Sequence, residues 1–307
     1  NSSATSRTLS SGGAVTETNS ISFRITGGTG TLALGTSSYR DLDFTDGTNP
    51  TGYAGALSSS TVTVYGDFKA STGMTQTAGT QILNFAATSG TKTINTAGVT
   101  FDRPFTFNGV GGTFQLASAL TSGATRTTTL TNGTLDLNGY TLTTGLFNSG
   151  NANTRTIAFG TGNITVTGSG GTVFTISDST NLTVTGTSTV NLTYSGSTGT
   201  RQINASLTNA SANTALNYNI SAGSDTVTFG TSDRFVNNVN FTGFSGIISD
   251  LTKSFYGNLT LASTNISVAS SAAVKFVATS GTKTITTAGQ TLDFPVTFDG
   301  IGGSWAM

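Results

Sequence analysis

One line of this chain is written twice. The stretch from Phe85 to Gly112 reads FAATSGTKTINTAGVTFDRPFTFNGVGG, and the stretch from Phe276 to Gly303 reads FVATSGTKTITTAGQTLDFPVTFDGIGG. The copies are displaced by 191 positions and agree at more than two thirds of them. Further pairs flank them: SFRITGGTGTLALGTSS from Ser22 is similar to NYNISAGSDTVTFGTSD from Asn217, and VYGDF at Val64 to FYGNL at Phe255. The duplicated unit is therefore about as long as that displacement. A compact fold accommodates such a duplication only by building a second domain. A solenoid accommodates it at no topological cost, because each junction is another contact between neighbouring coils.

The local grammar is that of strands. TLDLNGYTLT, NITVTG, TVFTIS, NLTVTG and TVNLTY alternate apolar residues with Thr or Asn, the period of a half-buried strand. Thr and Val suit a pleated surface because they branch at Cβ. Asp46-Gly47, Asn108-Gly109, Asn132-Gly133, Asn138-Gly139 and Asp299-Gly300 read as corners between them. No segment carries a capped helical stripe. TRTTTLTNGTLDLNG at Thr125 lines up with TRTIAFGTGNITVTG at Thr154, which sets the expected coil step. The expectation is an all-β chain, a parallel β-helix (β-solenoid) with coils of about 30 residues nested in the longer repeat. Tandem antiparallel sandwiches are the rival, but their usual longer strands and linkers are not evident. The chain is expected to be one continuous β-solenoid over 1–307. Its repeat unit runs roughly from 22 to 200, with a partial second unit over 217–307, and both ends look cut from a longer polypeptide.

Composition narrows the chemistry. There is no histidine and no cysteine, which removes the commonest general base, the commonest metal ligand, thiolate chemistry and disulfides. Thirteen basic and thirteen acidic residues cancel, leaving no net field to steer nucleic acid or an anionic membrane. No apolar run approaches the roughly 20 residues that span a bilayer. Thr and Ser make up about a third of the chain, yet Phe, Ile, Leu and Val recur throughout, so each coil can bury a narrow stripe.

The one acidic cluster is Arg40-Asp41-Leu42-Asp43-Phe44-Thr45-Asp46-Gly47. As a site, Asp41 and Asp43 would share a strand face with Asp46 in the following turn, a geometry conceivable for a hard cation or for glycoside chemistry. As plain structure, the acids would be a solvent face followed by an Asp-Gly turn. The second copy favours structure: its matching stretch, Asn237 to Gly243, keeps the apolar positions and has no carboxylate. Asp102 and Asp293, each just before a Pro-bearing bend, read as Asx-type corners. Lys92, Arg126, Arg155 and Lys283 read as solvated strand-edge positions that discourage mispairing, rather than an anion-binding stripe. Arg103 reads as exposed, since its counterpart is Phe294. The Gly clusters at Gly109 and Gly300 lack the Lys-Ser/Thr and the helix of a phosphate loop. No catalytic residue, metal or cofactor is expected.

GTKTITTAG, TNGTLDLNGYTLT and TRTIAFGTGNITVTGS resemble the repeat-rich β-solenoid regions of very long phage fibre proteins and bacterial surface adhesins. The resemblance is one of repeat grammar over nearly the whole chain and carries no catalytic signature. It implies a structural segment of a fibre or filament outside a cell or on a virion. Roughly ten coils at about 4.8 Å each would give a rod on the order of 50 Å. It also implies self-association, with any cell-surface glycan bound through another region. A tailspike-like glycan-binding or glycan-degrading β-helix and an S-layer-like lattice protein are the alternatives.

Overall fold

The computed structural model describes residues 6–12, 15–47, 51–58, 60–205, 207, 214–230, 235–261 and 266–307. The end of the second flanking line, Thr231 to Asp233, lies outside them. The described residues are all-β, with no helix among them, and their parallel strands stack as β-solenoid coils about 22 residues apart, about 13 among the described residues. Contacts divide it into two compact units. The first comprises Asn1–Gly145, Asn153–Gly162 and Asn181–Gly186, and the second Leu146–Ala152, Asn163–Thr180 and Thr187–Met307.

In the first unit, five successive coils place Tyr39, Val64, Phe85, Phe107 and Leu130 in one parallel register. All five are fully buried. A second inward column runs Leu42, Phe68, Ile94, Leu116. Burying each such side chain contributes about 1.5–3 kcal/mol. Phenylalanines fill the space between columns: Phe85 stacks on Phe107 at 5.4 Å and meets Phe68 edge-on at 6.1 Å. Facing outward, Thr91, Thr113, Thr134, Thr156 and Thr183 form a ladder over five coils. Branched, short and polar, threonine suits this half-exposed pleat.

The second unit repeats the plan. Val190, Tyr218, Val239, Leu259 and Ile285 make its inward column. Its outer face carries an asparagine ladder: Asn191 donates to Asn163 at 3.1 Å, Asn219 to Asn191 at 3.3 Å, and Asn240 to Asn219 at 3.2 Å.

The two copies of the repeated line fold alike. Leu83 and Phe85 pair with Phe105 and Phe107, as Val274 and Phe276 pair with Val296 and Phe298. Both lines turn through an Ala-Gly pair at positive φ, Ala97 (52°) with Gly98 (77°) and Ala288 (52°) with Gly289 (80°). Val99 N donates to Thr96 O, and Gln290 N to Thr287 O, closing each turn. The GVGG and GIGG clusters have another purpose. Asn108-Gly109 lies inside the strand Phe105–Leu116, where the register shifts, and is no open turn. A Cβ on Gly109 or Gly112 would overlap the Ala87 carbonyl oxygen, and one on Gly300 or Gly303 the Ala278 carbonyl oxygen. The glycines are kept because one coil's backbone packs directly on the next.

Three sequence expectations are corrected. The alignment of Thr125 with Thr154 is not the structural register: Leu135 pairs with Ile157, not Ile164, and Gly133 pairs with Arg155. Coil length also varies, from short steps such as Phe23 to Leu42 to long ones such as Phe174 to Ile203, because corners absorb the difference. Arg155 is not solvated but 1% exposed, in an inward register with Gly133 and Leu182, and its Nη1 donates to Asn153 O at 2.8 Å. Arg103 is fully buried, with Nε donating to Gln81 O at 3.2 Å and Nη2 to Ser60 O, so its side chain lies back across two earlier coils. Burial lowers its pKa to about 10. Carbonyls of earlier coils take two of the Arg103 nitrogens, Nε and Nη2, while Arg155 Nη1 uses a carbonyl two residues away.

Candidate functional site

Coil stacking gathers more carboxylates around Asp41 than the sequence alone suggests. The strand Leu42–Asp43 pairs with Phe23–Arg24 on one side and Phe68–Lys69 on the other. Asp41 and Asp43 line one cleft of about 350 Å³ with Ser22, Arg24, Asp67 and Lys69. Asp67 is the member that sequence reasoning missed. Its signal was present in the VYGDF line, but only coil stacking sets it beside Asp41. Asp46 does not join them. It lies beyond Thr45 in an exposed turn, where its amide donates to Thr51 O at 3.0 Å.

Each carboxylate of the cleft is already engaged in holding the coils. Asp41 Oδ1 accepts the Asp67 amide at 2.7 Å, and its Oδ2 accepts the Ser22 hydroxyl at 2.5 Å. Asp67 Oδ1 in turn accepts the Thr93 amide of the next coil at 2.8 Å. Asp43, only 8% exposed, accepts the Thr45 amide at 2.9 Å and hydroxyl at 2.6 Å, and pairs with Arg24 Nε at 3.1 Å. Burial pushes the Asp43 carboxyl up. The Thr45 hydrogen bonds and the charges of Arg24 and Lys69 outweigh it and hold the pKa below the usual carboxylate range.

The second copy keeps this geometry and discards the charge. Asn238 Oδ1 accepts the Asn258 amide at 2.8 Å, as Asp41 does that of Asp67. Asn258 Oδ1 accepts the Thr284 amide at 2.7 Å, as Asp67 does that of Thr93. Asn240 accepts the Thr242 amide and hydroxyl at 2.9 and 2.7 Å, matching Asp43 and Thr45. A carboxamide cannot transfer a proton as a carboxylic acid does. What the two copies share is the acceptor oxygen, placed to receive a backbone N–H across the coil step or, for Asp43 and Asn240, two residues ahead.

Asp102 also differs from the expected corner. It accepts Arg126 Nε at 2.7 Å, tying one coil to the following one. The second unit holds a stronger arrangement that the sequence did not suggest. Arg201 and Asp225, both fully buried, form a two-pronged pair, and Arg201 lies 5.6 Å from the ring centres of Tyr194 and Phe244. The two stand about one coil apart in sequence, a spacing that becomes a signal only when the coil length is known.

Among the described residues no group of three or more Asp or Glu side chains is placed to hold a metal ion. Among them, too, no helix is long and apolar enough to cross a membrane. No family model matches the chain, and neither the curated proteins nor the solved structures contain a significant match to it.

Proposed function

We propose that this chain is a structural segment of a long fibre or filament, outside a cell or on a virion, and that it performs no catalysis. The observation that carries the reading is the exchange of Asp41, Asp43 and Asp67 for Asn238, Asn240 and Asn258 with the inter-coil bonds of the first and third and the local threonine clamp of the second retained. The two copies have in common what stacks coils, and the charge is not part of it.

Mechanically, such a segment resists extension and proteolysis through continuous backbone ladders, which leave few exposed, unpaired strands to attack. Copies of the parent protein would associate into the filament.

The test uses antibodies raised to this segment on intact source cells or particles in negative-stain electron microscopy. The fibre reading expects decoration along filaments. Labelling of a flat two-dimensional array would replace it with a lattice protein. Polysaccharide cleavage by the parent protein, abolished by Asp41→Asn with Asp43→Asn, would replace it with an enzyme.

A further inference from the structure

The first unit carries another cleft, of about 400 Å³, lined by Glu17, Thr18, Arg40, Tyr65, Thr88, Ser89 and Lys92. One wall is a turn latched across the coils. Asn19 Oδ1 accepts the Thr16 amide at 2.6 Å and Glu17 O accepts the Ser20 hydroxyl at 2.9 Å, which folds the turn. Glu17 then reaches across to Thr88, far along the chain, accepting its hydroxyl at 2.5 Å and its amide at 3.1 Å. Arg40 contacts the same turn through Thr18 O at 3.4 Å. Among the described residues neither Arg40 nor Lys92 forms an ion pair.

The second copy separates scaffold from site. Gly66 N donates to Arg40 O where Gly257 N donates to Asn237 O, so Asn237 stands in the place of Arg40. Tyr256, Thr279, Ser280 and Lys283 repeat Tyr65, Thr88, Ser89 and Lys92. However, Phe235 stacks on Tyr256 at 5.3 Å, while among the described residues no aromatic ring packs on Tyr65. Stacking coils therefore requires neither the arginine nor a tyrosine free of an aromatic neighbour, and among the described residues only the first copy has both.

We propose that this cleft binds a carboxylated sugar, a hexuronate unit of a polysaccharide. Its volume lies at the small end of the roughly 300–1,000 Å³ of small-molecule clefts. Arg40 and Lys92 meet the carboxylate, with the guanidinium able to hold both oxygens. The Tyr65 ring takes the C–H face of the pyranose. The Thr18, Thr88 and Ser89 hydroxyls and the remaining lone pairs of Glu17 meet the ring hydroxyls. A neutral sugar would leave the cleft's net positive charge, two cations against Glu17, unanswered, and a bare anion would leave the Tyr65 ring and the hydroxyls unused. The site stands independently of the fibre reading.

The experiment is titration calorimetry of the whole chain with glucuronate, galacturonate and mannuronate. Glucose, glucuronate methyl ester, glucose 6-sulfate and inorganic phosphate are the comparison probes. At least one hexuronate binds, and the comparison probes bind at least ten-fold more weakly. Arg40→Gln, Lys92→Gln and Tyr65→Leu each weaken hexuronate binding about ten-fold, while Lys283→Gln leaves it unchanged. The ester comparison needs no variant and survives any folding defect. Absence of binding by all three hexuronates overturns the proposal, as does equal binding of glucose or of the ester. Glucose 6-sulfate or phosphate binding as tightly as the hexuronate also overturns it, because the cleft would then read an anion and not a carboxylated sugar.

Discussion

Arg201 and Asp225 face each other with neither side chain exposed to solvent, Nε to Oδ2 at 2.9 Å and Nη2 to Oδ1 at 2.7 Å. Two further donations go to Ala222 O and Leu192 O. Removing one member leaves the other charged and buried without its partner, so Arg201→Met or Asp225→Leu alone should cost about 3–5 kcal/mol. Replacing both, Arg201→Met with Asp225→Leu, should recover most of that loss. Urea unfolding of the four proteins checks this, and additive single losses would show that the pair is not a unit.

Asp43 gives a pH-dependent prediction. Its folded pKa lies below the usual value, so its contribution is complete above the unfolded pKa of about 3.9 and is lost as pH falls through the folded pKa. Because Asn240 makes the same bonds to Thr242, Asp43→Asn should unfold within about 1 kcal/mol of the parent at pH 7. That difference should shrink below pH 4, where the carboxyl takes up its proton. Asp43→Ala should be worse than Asp43→Asn at every pH, since it strands the Thr45 amide and hydroxyl. Stability curves for the three proteins from pH 7 to pH 2.5 measure both effects.

Glycine position separates conformational need from contact. Gly98 has φ at +77° with open space where a Cβ would be, so Gly98→Ala meets only the left-handed backbone cost, about 1–2 kcal/mol. At Gly109 a Cβ would overlap the Ala87 carbonyl, and the backbone of two coils would have to part. Gly109→Ala should therefore cost at least twice as much as Gly98→Ala in thermal or urea unfolding. Equal losses would mean that the coils separate easily at that corner.

Alternation of period two and the Thr-Gly lines were enough to read parallel stacked coils, because inward Phe, Leu and Val columns leave a direct trace in sequence. Coil length left a misleading one. Thr125 and Thr154 begin similar lines, yet Leu135 rests against Ile157, since the number of residues in a coil depends on corners that carry no periodic signal. Buried arginines were illegible for a related reason. Thr-Arg-Thr at Arg126 and at Arg155 look alike. The first side chain reaches Asp102 near the surface, and the second turns inward to a carbonyl. The acid cleft was half legible: Asp41 and Asp43 are close in sequence, but Asp67 joins them only through stacking.

The acceptor clamps and the asparagine ladder make opposite demands on the same residue type. Asn258 uses its Oδ1 to accept the Thr284 amide, and the first copy performs that task with Asp67. Asn258→Asp should therefore stay within about 0.5 kcal/mol of the parent at pH 7, the range of a neutral surface change. Asn219 has two tasks: its Nδ2 donates to Asn191 Oδ1 while its Oδ1 accepts from Asn240 Nδ2. A carboxylate there cannot donate, and it would set its charge against the Asn191 oxygen. Asn219→Asp should cost about 1–2 kcal/mol by that loss, and acidification below pH 4 should restore part of it by returning a donor. Amide hydrogen exchange across the strands Thr189–Leu192 and Val239–Asn240 should rise in Asn219→Asp and not in Asn258→Asp. Equal behaviour of the two variants would mean that the ladder adds nothing to the backbone hydrogen bonds beneath it.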